Sequence, residues 1–240
     1  MQLHLLVYGP EAPKQLVIYV HGNCEDIYRI DGFVGRCQEQ LFAPQSALVT
    51  FDWPGYGQVA GKASEKSLVE TAQQVLYFCK RRFSLQIGQI SLWGRSIGTV
   101  AALAIAASNY VSRVLLESPI SSAFDAVSTS LPQFMNSFRN CEYIRHFKGE
   151  SLAIVGGDQD ETLDFRRNAC KLFRIRTENA LDDAKTQPQI EFSSVEQVPG
   201  IQVASAPRTT LYRISGGHHN DLGQYFRAEL EFVIRAVFGP

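Results

Sequence analysis

The sequence predicts an α/β fold, with a mostly parallel central sheet and helices on both of its faces. Three observations carry this. Short β-branched or aliphatic runs recur along the chain and end in loop residues. Most are apolar at successive positions, as expected of strands covered on both sides. Amphipathic helical segments alternate with them. The chain has 240 residues, 45% of them hydrophobic, enough for one well-covered core and short for two, so residues 1–240 read as a single domain.

The strand runs in order are "LHLLVYG", "QLVIYVHG", "SALVTFDWPG", "GQISLWG", "SRVLLESP", "SLAIVGGD" and "TTLYRISGG". The clearest helix is "SEKSLVETAQQVLYFCKRRF", where Leu68, Ala72, Val75, Leu76 and Cys79 share a face and Ser64 and Ser67 offer caps. A second, alanine-rich helix opens at Ser96. The last, "DLGQYFRAELEFVIRAVF", carries Leu222, Phe226, Leu230, Val233 and Val237 on one stripe, with Asp221 near its start. Residues 176–208 break the pattern: they are polar, carry three prolines, and are expected to be a polar insertion between complete elements.

Lys plus Arg is 23 against 24 for Asp plus Glu, so the chain has no strong field to collect nucleic acid or anionic lipid. The five cysteines are odd in number and lack the paired spacing of a zinc site or a disulfide framework. The opening "MQLHLLVYGPEAP" lacks the basic flank and apolar length of a signal peptide, and no run of about 18 apolar residues occurs. These features predict a cytoplasmic protein without an integral membrane segment, a metal or an organic cofactor, acting on a small or neutral substrate. They leave its oligomeric state open.

The frame Gly94-Arg95-Ser96-Ile97-Gly98 stands where an apolar strand gives way to a helix. A serine on so tight a turn projects its hydroxyl above the sheet, and the turn tolerates only small neighbours two residues away on each side. The helix that follows aims its amino end at the serine, where negative charge would gather in acyl transfer. A serine hydroxyl is a weak nucleophile at neutral pH, so this chemistry also needs a histidine to take its proton and a carboxylate to orient that histidine. Of the five histidines, His218 and His219 follow the last strand, where hydrolases built on such a turn place the base. The acid is expected in "GGDQDETLDF", which offers Asp158, Asp160, Glu161 and Asp164, with Glu117 after the preceding strand as the alternative. Two backbone N–H groups would hold the oxyanion, one from Ile97 and one from Asn23 in the "HGN" loop. His21 in that loop reads as shaping it rather than as a base.

Taken in order, "YVHGN", "FDWPGYG", "GKASEKSL", "LWGRSIGT", "LLESPI", "GDQDETLDF" and "GHHNDL" resemble the motifs of small intracellular α/β-hydrolase-domain proteins, the branch that includes protein depalmitoylases. The resemblance runs from about Leu16 to Phe238, apart from the polar segment. It implies the α/β-hydrolase fold, Asp160 as the acid and His219 as the base, with His218 where the family commonly has glycine. Trp53, Gln58 and Val59 depart from the family's residues at positions expected to flank the pocket. The fold places a small lid at about residues 119–148, where Phe124, Leu131, Phe134, Met135 and Phe138 either line an acyl pocket or bury the lid itself. The depalmitoylases of this branch carry a lipidated amino-terminal cysteine cluster, whereas the first cysteine here is Cys24.

The expected function is therefore a serine hydrolase that cleaves an acyl ester or thioester through Ser96, His219 and Asp160, with Asn23 and Ile97 as the oxyanion hole; its expected substrate is a small molecule or, as the resemblance implies, an acylated protein. A serine peptidase or amidase of the same fold and a non-catalytic binding protein on a hydrolase scaffold are the alternatives.

Overall fold

Nine strands form one sheet in the computed structural model, which describes residues 3–122, 138–178 and 189–239. In chain order they are β1 (His4–Tyr8), β2 (Gln15–Val20), β3 (Ser46–Asp52), β4 (Ile90–Arg95), β5 (Arg113–Glu117), β6 (Ser151–Gly157), β7 (Ser193–Ser194), β8 (Ile201–Ala206) and β9 (Thr209–Ile214). Their order across the sheet is β1-β3-β2-β4-β5-β6-β9-β8-β7. The six central strands, β3 to β9, run parallel, while β1 pairs antiparallel with β3 at one edge and, at the other, β8 pairs antiparallel with both β9 and β7.

Alternation along each strand divides the apolar residues between two cores. On β2, Leu16, Ile18 and Val20 face one core and Val17 and Tyr19 the other. The first core is closed by α2 (Glu65–Arg82), α3 (Gly98–Ser108), α4 (Asn140–Arg145) and α5 (Lys171–Glu178), and the second by α1 (Ile27–Leu41) and α6 (Arg227–Phe238). α3 is buried from Gly98 to Ala106, which explains why it is apolar all round. Ser64 caps α2 through a reciprocal exchange with Ser67: its Oγ accepts the Ser67 N–H at 3.0 Å, and the Ser67 Oγ accepts the Ser64 N–H at 3.0 Å.

Two sequence expectations are corrected. The segment 176–208 is not simply an insertion between complete elements, because residues 193–206 contribute β7 and β8 to the sheet, with Ile201 fully buried. Ile190 and Phe192 pack against one core and Val195 and Val198 against the other. An edge strand with one exposed face alternates polar with apolar residues, and "IQVASA" beside Pro199-Gly200 therefore reads as loop. The final helix begins at Arg227, not near Asp221, and residues 215–226 are turns and bends. Helix α1 is not among the helices named from the sequence; Ile27, Ile30, Val34, Cys37 and Leu41 share its buried face, and Asp26 accepts the Tyr28 and Arg29 N–H groups.

Of the expected lid, residues 123–137 lie outside the described residues, and with them Phe124, Leu131, Phe134 and Met135. Phe138 is buried in the first core. Among the described residues no helix is long and apolar enough to cross a membrane. Because the central strands are parallel, the loops after β2, β4, β6 and β9 all emerge at one edge of the sheet, where open α/β sheets bind their ligands.

Candidate active site

Ser96 sits directly after β4 with φ of 51°, a left-handed conformation held by its surroundings. Its N–H donates to the Glu117 carbonyl at 2.8 Å, and its carbonyl accepts from Thr99 Oγ1 at 2.6 Å. A Cβ at Gly94 would lie 2.7 Å from the Gly98 carbonyl oxygen, and one at Gly98 would lie 2.1 Å from the Val20 carbonyl oxygen. Those neighbours are backbone atoms of the sheet and turn, so only glycine lets the strand and α3 meet at this angle.

The loop after β9 brings His219 over the serine, with Nε2 3.0 Å from Ser96 Oγ. On the other side of the ring, Nδ1 lies 2.8 Å from Asp160 Oδ2. Asp160 Oδ1 accepts the Thr162 and Leu163 N–H groups at 2.9 and 2.7 Å, which fixes the carboxylate plane. All three side chains are buried.

The other candidate acids are committed elsewhere. Asp158 Oδ1 accepts the Gly216 N–H at 2.8 Å, and Asp164 Oδ1 accepts the Arg167 N–H at 2.9 Å. Glu161 lies 2.8 Å from the exposed His218 Nδ1, whose pKa that hydrogen bond raises. Glu117 accepts from Trp93 Nε1 at 2.9 Å and faces Arg95 Nε at 3.3 Å. Burial pushes the Glu117 carboxyl up from its ordinary value, against the pull of Arg95. His218 points away from the serine, towards Glu161.

The loop after β2 supplies the opposite wall. His21 stacks on Trp53 with ring centroids 4.1 Å apart, and its Nε2 is 3.1 Å from Asp52 Oδ1, which also accepts the Ile27 N–H at 3.0 Å. His21 thereby ties the loop to β3 and to the start of α1, and it makes no hydrogen bond to Ser96 or His219. Asn23 Oδ1 accepts from the Tyr56 hydroxyl at 2.7 Å, which orients the residue without using its backbone N–H.

A cavity of about 210 Å³ opens at these residues, walled by Asn23, Cys24, Ser96, Ile97, Ile120 and Leu163. Polar Arg95, Thr162, His219 and Asn220 also line it, so that polar groups stand beside apolar ones, as is usual in a small-molecule site. A larger hollow of about 860 Å³ beside Phe192 and Gln202 includes none of Ser96, Asp160 or His219, so size alone does not mark the site. Trp53, Gln58 and Val59 are not among the described residues that line the smaller cavity, and Trp53 is turned onto His21. Among the described residues no three His, Cys, Asp or Glu side chains gather as a metal-binding set.

Two residues at the site escape a motif reading. Arg95 and Glu25 form an ion pair of 2.7 Å beside the serine. The available signal was an arginine ending an apolar strand next to the strand that ends in Glu117, a charge that burial obliges to find partners.

No protein-family model matches the chain. It is 27% identical over 156 residues to alpha/beta hydrolase domain-containing protein 17B of Xenopus laevis, covering 64% of this chain and 53% of that one. The human protein of the same name is 26% identical over 159 residues, with 65% of this chain and 54% of that one covered. The chain thus spans about half the length of the curated relatives it matches. Among solved structures, Est1E from Butyrivibrio proteoclasticus, with ferulic acid bound, superposes with a TM-score of 0.70 at 14% identity, covering 98% of this chain and 93% of that one. An alpha-beta serine hydrolase homologue from Coxiella burnetii superposes with a TM-score of 0.64 at 17% identity, covering 98% and 90%. Identities this low carry the fold and no more.

Proposed function

We propose, from the premise that this chain is an α/β-hydrolase-fold protein, that it is a serine hydrolase acting on acyl esters or thioesters. The observation that carries the reading is the unbroken line of contacts from Ser96 Oγ to His219 Nε2 at 3.0 Å and from His219 Nδ1 to Asp160 Oδ2 at 2.8 Å.

Ser96 Oγ attacks the acyl carbonyl carbon while His219 Nε2 takes the hydroxyl proton, and the carbonyl π electrons move onto oxygen. Asp160 holds the imidazole with Nδ1 protonated and stabilises its cationic form. The N–H groups of Ile97 and Asn23 meet the oxyanion, and the amino end of α3 adds its dipole. Collapse of the tetrahedral intermediate expels the alcohol or thiol, which leaves with the proton from His219, and an acyl-serine remains. A water then attacks that ester, giving its proton to His219, and a second collapse returns the proton to Ser96 Oγ and frees the acid.

The test is a fluorophosphonate probe together with p-nitrophenyl butyrate. The wild type is expected to react with both. Ser96→Ala is expected to lose labelling, and its turnover is expected to fall by several orders of magnitude, roughly 10⁶-fold in kcat. Stoichiometric labelling of the alanine variant would remove Ser96 from the role.

A further inference from the structure

Arg95 occupies the variable position before the nucleophile, and its side chain is only 13% exposed. Its guanidinium meets three separate segments. Nη1 donates to Glu25 Oε1 at 2.7 Å in the loop after β2, and Nε faces Glu117 Oε1 at 3.3 Å at the end of β5. Nη2 donates to the His219 carbonyl at 3.3 Å and to Asn220 Oδ1 at 3.2 Å in the loop after β9. Burial pulls the Arg95 pKa down, but the Glu117 and Glu25 charges raise it by more, so the group stays ionised.

The second oxygen of Glu25 extends the linkage. Glu25 Oε2 accepts the Gly22 N–H at 2.6 Å, one residue before the donor assigned to Asn23. A Cβ at Gly22 would come within 2.9 Å of Arg95 Nη1 and 3.0 Å of Glu25 Oε2, so the backbone is seated against the ion pair itself. One planar fork therefore touches the backbone of the base and, through a single carboxylate, the backbone beside the oxyanion donor. Burying such a cluster is expensive, and well-packed apolar side chains would fill the volume at less cost in stability. A lysine ammonium lacks the planar set of donors that reaches all three segments at once.

We propose that Arg95 is a positioning residue, which acts through Glu25 and through the His219–Asn220 backbone to hold the Asn23 N–H and the His219 ring at reacting distance from Ser96. The inference rests on the serine-hydrolase reading for its catalytic consequence, while its structural content stands apart from it. Misplacing reacting groups by about 1 Å can cost about 10²-fold in rate.

The test compares wild type with Arg95→Lys, Arg95→Gln, Glu25→Gln and the Arg95→Gln/Glu25→Gln double variant. The measurements are kcat and KM on p-nitrophenyl butyrate, Tm, and hydrogen exchange at the Gly22 amide. Each arginine variant is expected to lose about 10²-fold in kcat with KM within about threefold of wild type. Glu25→Gln should lose about tenfold, and the double variant no more than Arg95→Gln alone, since both break one linkage. Gly22 exchange should quicken in every variant that breaks the pair. Glu25 lies nearer the surface, so its variant keeps the test open if Arg95→Gln fails to fold. Near-normal kcat in both Glu25→Gln and Arg95→Lys overturns the proposal. A rise in KM alone does so too, because it would make Arg95 a substrate contact. An inert wild type would instead remove the hydrolase reading, and Gly22 exchange unchanged by Glu25→Gln would then remove the positioning role as well.

Discussion

His219 Nδ1 and Asp160 Oδ2 lie 2.8 Å apart, and the other oxygen of that carboxylate is held by two backbone N–H groups, from Thr162 and Leu163. The Asp160 carboxylate is therefore held by backbone as well as by the histidine. An asparagine at this position keeps the shape but offers an amide N–H, which favours the imidazole tautomer that cannot accept the serine proton. Asp160→Asn is expected to lower kcat by roughly 10⁴-fold, the loss seen when an orienting carboxylate becomes an amide, with Tm little changed. Steady-state kinetics beside a thermal melt checks both halves. Near-normal turnover in Asp160→Asn with loss in Glu117→Gln would move the acid to the end of β5.

Much of this arrangement is legible in the sequence, and the reasons are local. The strands from "QLVIYV" to "TTLYRI" are apolar on both faces, and the turn at Ser96 announces itself because Gly94 and Gly98 each face backbone that excludes a Cβ. The choice between His218 and His219 was not readable from position alone. It depends on how a tight loop is turned, and the Asp221 carboxylate that accepts the His218 N–H at 2.8 Å is part of that turn. The Arg95 linkage is invisible for a related reason. Besides Glu117, its partners are 70 and 124 or 125 residues away, and only the parallel sheet brings them to one edge.

The antiparallel edge is expected to support the fold. Ile201 on β8 is fully buried in the second core, opposite Ile214 of β9. Ile201→Ala should cost about 2–5 kcal/mol, the range for an isoleucine truncated in a packed core, and lower Tm on the order of 10 °C in a domain of this size. Replacing residues 193–206 with a Gly-Ser linker should cost more. A melt unchanged by either alteration would mean that the edge contributes nothing and the polar segment is dispensable.

His218 and Glu161 make an exposed pair whose contribution depends on pH. The Glu161 pKa is lowered, first by its own backbone N–H and then by His218, and the His218 pKa is raised chiefly by Glu161. A lowered carboxyl stabilises the fold above its ordinary pKa of 4.5 and stops doing so as pH falls through its folded value. A raised imidazole stabilises below its ordinary 6.5 and stops doing so as pH rises through its folded value. The pair is therefore at full strength between those ordinary values and fades on both sides. Proton NMR titration should show the His218 pKa falling towards 6.5 in Glu161→Gln. An unmoved titration would mean that the contact does not persist in solution.

If the proposed hydrolase reading holds, the cavity limits the acyl group. About 210 Å³ bounded by Ile97, Ile120 and Leu163 is less than the range usual for drug-sized ligands, so a short chain fits it and a sixteen-carbon chain extends beyond it. Turnover of p-nitrophenyl butyrate is accordingly expected to exceed that of the palmitate ester. Leu163 is the wall to move, because its backbone N–H, not its side chain, holds Asp160, and an alanine keeps that hydrogen bond. Truncating Leu163 removes three carbons, each methylene being worth about 0.8 kcal/mol of burial, so the variant should gain on hexanoate or octanoate relative to butyrate. One or two added methylenes, fully buried, correspond to about 4- to 15-fold in relative kcat/KM. Faster turnover of palmitate than butyrate by the wild type, together with release of palmitate from an S-acylated cysteine peptide, would show that this cavity does not bound the acyl chain and that a long-chain thioester is the substrate.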